Sequence, residues 1–188
     1  MKLEDNKYIF ELVIDGSQNK ELMNELPLFD QLKSLTIKKA NIYDKDIMVI
    51  NKLSQLIELT FINCNFFNKL EDFTNNNVLK ISFVGEEIED YKILSKMKRL
   101  RYIDVIDSKE VELTNIFTIA NLSELRILNS KFLSTTDLFR ISKPILLEIS
   151  GSSGIIKEEI NTLKSKFNFV DNGIFVIEEG ANNAYAWN

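Results

Sequence analysis

The side chains that most often carry enzymatic chemistry are scarce in this chain of 188 residues. It contains no histidine and a single cysteine, Cys64. Neither a Ser-His-Asp nor a Cys-His site can therefore be assembled, and no histidine-containing zinc site can form. A nucleophilic thiolate needs a cation or base beside it, and the stretch around Cys64 supplies none. Gly151-Ser152-Ser153-Gly154 is a small glycine loop, but it lacks the lysine and the spacing of a phosphate-binding loop and reads as a turn. Carboxylates are plentiful. The pair with the best claim to acid/base work, Asp104 and Glu148, has Arg126 at the equivalent position between them, which reads more simply as a row of ion pairs. No catalytic residue, cofactor or metal ligand is expected, and the chain reads as non-enzymatic.

What must position Asp104, Arg126 and Glu148 is a repeat. The stretch Leu56-Ile57-Glu58-Leu59-Thr60-Phe61-Ile62-Asn63-Cys64-Asn65-Phe66 fits L-x-x-L-x-L-x-x-C/N-x-L, with Phe61 and Phe66 in two of the leucine sites. Taking the first apolar site of each unit as its anchor gives Ile9, Leu32, Leu56, Val78, Leu100, Leu122 and Pro144, at intervals of 23, 24 and then 22 four times. Alternate residues of each unit face inward on a short strand, and the others face out. Between strands, apolar residues recur six and three places before the next anchor: Leu26/Phe29, Ile50/Leu53, Leu94/Met97, Ile116/Ile119, Leu138/Ile141 and Ile160/Leu163. Spacing of three predicts one buried stripe on a short α- or 3₁₀-helix, with Asp44, Asp90 and Thr136 as candidate N-caps. The unit before Val78 breaks this rule. It holds Asp72 and Asn75 at the two apolar places and then Asn76-Asn77, so an irregular loop is expected, with Leu70 and Phe73 filling the layer.

These motifs resemble the leucine-rich repeat family, in particular its short class of 22-residue units, as in bacterial internalins and the leucine-rich regulatory subunits of protein phosphatases. The resemblance implies a right-handed solenoid, a concave parallel sheet of about seven strands, short helices on the convex side, and action through binding other proteins. The ladder position that the family prefers to fill with Asn holds Ala40, Cys64, Glu86, Ser108, Ser130 and Ser152. Serine can still bond locally there, Cys64 packs as a small hydrophobe, Ala40 cannot bond, and Glu86 is awkward if buried. The chain is expected to be one domain over 1–188, with repeats over about 9–165, a C-terminal cap over about 166–180 and a tail over 181–188. The cap is read as a hairpin, Phe167–Val170 against Ile174–Ile177 around Asp171-Asn172-Gly173. The tail is expected to fray unless Tyr185 and Trp187 dock.

The outward positions define a surface. One column reads Thr60, Ser82, Asp104, Arg126, Glu148, and a second reads Glu58, Lys80, Tyr102, Glu124. The third aligns Ile62, Val84, Ile106 and Leu128 as an apolar stripe. The expected partner-binding residues are Ile62, Val84, Tyr102, Asp104, Ile106, Asp107, Glu124, Arg126, Leu128 and Glu148. Burying the four stripe side chains gives a gross ~6–12 kcal/mol, against an association cost of about 4–15 kcal/mol, so the flanking Tyr and Arg must add specificity. A net charge of -5 is compatible with a basic protein partner and argues against a nucleic-acid ligand. No apolar run reaches the ~20 residues of a membrane span, and charges precede the first apolar run, so a cytoplasmic protein is expected. The functional reading is an interaction module, for instance an inhibitor or immunity protein that occludes its partner. The rival reading is a homodimer formed through the stripe.

Overall fold

The computed structural model describes residues 8–18, 21–67, 73–177 and 185–186. In chain order the strands are β1 (Glu11–Asp15), β2 (Ser34–Lys38), β3 (Asn41–Ile42), β4 (Glu58–Ile62), β5 (Asn65–Phe66), β6 (Lys80–Val84), β7 (Tyr102–Ile106), β8 (Val111–Glu112), β9 (Glu124–Leu128), β10 (Phe132–Ser134), β11 (Leu146–Ser150), β12 (Ser153–Ile156), β13 (Asn168–Asn172), β14 (Phe175–Ile177) and β15 (Tyr185–Ala186). The α-helices are α1 (Leu22–Glu25), α2 (Asp44–Ile50) and α3 (Lys157–Lys166), with 3₁₀ turns at Leu26–Leu28, Tyr91–Leu94, Ile116–Thr118 and Leu138–Arg140. The concave sheet runs β1-β2-β4-β6-β7-β9-β11-β13, parallel and in register throughout. This is the leucine-rich repeat solenoid that the spacing predicts.

Its core follows the apolar positions. Leu35/Ile37, Leu59/Phe61, Ile81/Phe83, Ile103/Val105, Leu125/Ile127 and Leu147/Ile149 are buried on the inner face of the sheet, and all twelve residues of the convex pairs are buried against them. Where the convex rule breaks, Phe73 fills the layer. It is fully buried and sits edge-on to Phe61, which stacks on Phe83 at 5.8 Å. Asn75 is buried too, and its amide nitrogen donates to the carbonyls of Ile50 and Leu53 at 2.9 and 2.8 Å. An amide thus replaces a leucine by donating a second hydrogen bond to each of two carbonyls at the end of the convex segment, which also accept from Leu53 and Leu56 N–H. Leu70 and Asp72 lie outside the described residues.

Five expectations need correction. The sheet has eight strands, not about seven. The C-terminal segment is not a hairpin: β13 pairs in parallel with β11, and β14 pairs in parallel with β12. Asp171-Asn172-Gly173 is therefore one more solenoid turn. The physical reason is visible in the earlier turns, where from β2 onward the residue after each concave strand is left-handed: Lys39, Asn63, Gly85, Asp107, Asn129 and Gly151 all have positive φ. Gly173, with φ 74°, continues that series. Third, Pro144 is exposed and Ile145, 1% exposed, takes the buried anchor site. Fourth, Thr136 does not cap a helix; its N–H is bonded by Ser134 Oγ. Fifth, Asp44 is the first residue of α2 rather than its cap, and Asp46 accepts from Tyr43 N–H instead. Asp90 does cap its 3₁₀ turn, accepting from Lys92 N–H at 2.8 Å. In the tail, Tyr185–Ala186 pair antiparallel with β14; Trp187 lies outside the described residues.

Candidate protein-binding face

The register sets the outward columns side by side. Ile62 pairs with Val84, Val84 with Ile106, and Ile106 with Leu128. The four side chains are half-buried, each shielded by its neighbours along the stripe. At about 4.7–4.9 Å per strand, the three steps give a ribbon of about 14 Å. Tyr102 stands in the column farthest from the stripe and is 39% exposed.

Between them runs an ion row. Asp104 is only 4% exposed, and its carboxylate lies 2.8 Å from Lys80 Nζ, 3.2 Å from Ser82 Oγ and 3.8 Å from Arg126. Arg126 Nε in turn donates to Glu148 at 2.9 Å. That bond, with the nearby carboxylates, raises the guanidinium above its ordinary pKa. The row that was expected of Asp104, Arg126 and Glu148 is formed, and Lys80 extends it. Lys80 was legible only as a member of the adjacent column; its flexible stem reaches diagonally to Asp104. Glu124 is half-buried beside Arg126, while Asp107 is exposed in the turn after β7 and accepts from Asn129 Nδ2. The eighth strand adds Val170, 38% exposed, to the central column after Glu148. Its signal in the sequence was Gly173, 22 residues after Gly151.

The turn beside this face carries the ladder. Ser130 Oγ accepts from Ser108 N–H, and Ser152 Oγ accepts from Ser130 N–H, both at 3.1 Å. Glu86 does the same work with a carboxylate: it is 3% exposed and accepts from Cys64 N–H. Cys64 Sγ points to the carbonyl of Ile37 at 3.4 Å, and burial pushes its thiol pKa up. This geometry suits a packed rung, not a nucleophile. Among the described residues no cluster of His, Cys, Asp or Glu could hold a metal ion, and no helix is long and apolar enough to cross a membrane.

Neither a protein-family model nor a curated relative matches the chain by sequence. Among solved structures, it is similar to an internalin, InlF from Listeria monocytogenes str. 4b F2365, with a TM-score of 0.52 and 18% identity. The match covers 94% of this chain and 71% of that one. At that identity the likeness establishes the fold.

Proposed function

We propose that this leucine-rich repeat solenoid is a non-enzymatic module that binds a basic protein through its concave face. The observation that carries the reading is the pairing of an in-register apolar stripe with an ion row that is neutralised internally. The cations of the ion row, Lys80 and Arg126, are engaged by Asp104 and Glu148, whereas Glu58 and Asp107 remain exposed on either side, and Lys38 stands at the N-terminal end of the stripe beside Ile62. Apolar contact along Ile62, Val84, Ile106 and Leu128, flanked by acid, is complementary to a surface with apolar side chains bordered by Lys or Arg. Tyr102, Glu124 and Arg126 would supply orientation. The finer assignment is an inhibitor or immunity protein acting in the cytoplasm, which would occlude the partner's own site.

The test is a pair of substitutions with opposite expectations. I106D combined with L128K abolishes capture of a basic partner while leaving the circular-dichroism spectrum and melting temperature nearly unchanged. L133D, at an exposed site on β10 outside the concave sheet, leaves capture intact. Undiminished capture by I106D/L128K would overturn the reading. A concentration-dependent dimer in light scattering, lost in I106D/L128K, would instead assign the stripe to self-association.

A further inference from the structure

The ladder contains one carboxyl group. Its other occupants are Ala40, Cys64, Ser108, Ser130 and Ser152, and only at Glu86 does a carboxyl group fill the rung. The rung is closed on both sides. Below it, Glu86 Oε1 accepts from Cys64 N–H; above it, Ser108 Oγ donates to the Glu86 carbonyl. Both bonds are buried. No ion pair among the described residues reaches Glu86. The charged residues of its own turn, Glu87 and Glu89, are exposed, as are Lys39 on an earlier turn and Asp107 and Lys109 on the turn above. The titratable group that faces it directly is the Cys64 thiol, which a carboxylate disfavours from ionising. The turn cannot relax easily around a new charge. Gly85 has φ +72°, and Asn63 Oδ1 lies 2.3 Å from where a Cβ would sit on it.

We propose that the Glu86 rung is a proton-dependent joint in the solenoid, closed between the third and fourth repeats when the carboxyl is protonated and opening as it ionises. A buried carboxylate with one backbone N–H donor and no cation among the described residues is poorly solvated, and water reaches it only if the rung opens. Opening would free the turn that follows Val84, at the middle of the apolar stripe, so the shape of the concave face would depend on pH at that point. The depressed acidity of the group, with its pKa pushed up to about 7 by burial, agrees with this geometry.

The protein carries its own reporters. The Cys64 N–H is held by Glu86, while the equivalent N–H groups of Ser108 and Ser130 are held by hydroxyls. Base-catalysed amide exchange rises tenfold per pH unit when opening is independent of pH. If opening requires ionisation of Glu86, exchange at Cys64 rises about a hundredfold per unit between pH 5 and 7 and tenfold above, because each unit adds a tenfold gain in the open fraction. Ser108 and Ser130 rise tenfold throughout. Modification of the Cys64 thiol by a disulfide reagent follows the same two slopes in the wild type and a single tenfold slope in E86Q and E86S. A tenfold slope at Cys64 below pH 7 in the wild type, or a hundredfold slope retained in either variant, would overturn the proposal. The exchange measurement needs no variant, so a substitution that failed to fold would leave the test in place.

Discussion

Asp104 and Lys80, on neighbouring strands, meet at 2.8 Å with the carboxylate almost wholly buried and the ammonium about one-third exposed. The acid is therefore the costly member of the pair. D104N keeps the shape but leaves Lys80 and Arg126 facing each other without their shared anion, and should lower stability by about 2 kcal/mol. K80A should cost less, about 0.5–1 kcal/mol, since Arg126 and Ser82 still contact Asp104. Urea unfolding of the two variants separates these outcomes.

The turn glycines are not equivalent. Gly173 is left-handed with open space beside its Cα, whereas Gly85 is left-handed and packed on Asn63. G173A should cost about 1–2 kcal/mol for its backbone conformation alone. G85A adds an overpacking penalty of about 1–3 kcal/mol. N63G removes the obstructing amide at a position whose own φ of 50° glycine accepts. The double variant N63G/G85A should therefore be more stable than the two single effects added together, as a thermal-melt double-mutant cycle would show.

Asn75 should resist replacement by the residue that the repeat pattern expects. N75L restores a leucine at an apolar place but removes two buried hydrogen bonds, from the amide to the carbonyls of Ile50 and Leu53, together with the acceptor of Asn77 N–H. The loss should be about 2–3 kcal/mol despite the added hydrophobicity, measured by chemical denaturation. If N75L proved neutral or stabilising, the amide would be dispensable.

Stability should fall between pH 5 and 7. Glu86 has a folded-state pKa of about 7, above its ordinary 4.5, so the folded chain binds this proton more tightly than the unfolded one. Its contribution is complete below the unfolded value and diminishes as pH rises to about 7, then stays level, a total on the order of 3 kcal/mol. Comparing urea midpoints of wild type and E86Q across that range isolates the group, because other titrations cancel.

The architecture was legible because its signal is repeated: six convex pairs and six strand pairs all fall in the core. Single positions were harder. Pro144 occupies an anchor's place in the sequence, yet the chain turns Ile145 inward instead, since one residue of slack before a strand leaves the strand's own alternation untouched. The eighth strand was hidden because its inward sites hold Phe169 and Asp171 rather than two aliphatics, and Asp-Asn-Gly is the same signal for a hairpin as for a left-handed solenoid turn. The stripe could be read from spacing alone. Lys80 could not be paired from spacing, because a diagonal contact depends on how a long side chain bends.

The ladder bonds described above all run one way. Ser130 and Ser152 each accept an N–H from the repeat before, and Cys64 Sγ and Ser152 Oγ donate back to Ile37 and Ile127. Each repeat is thus finished by its successor. A solenoid built this way has a grain: shortening it from either end removes backbone pairs of the sheet, but shortening from the C-terminal end also strips the new last repeat of its side-chain closing bonds, whereas shortening from the N-terminal end frees the ladder side chain of the new first repeat to face water. During synthesis the newest repeat is always the incomplete one, and the boundary of finished structure trails the emerging chain by one 22-residue unit.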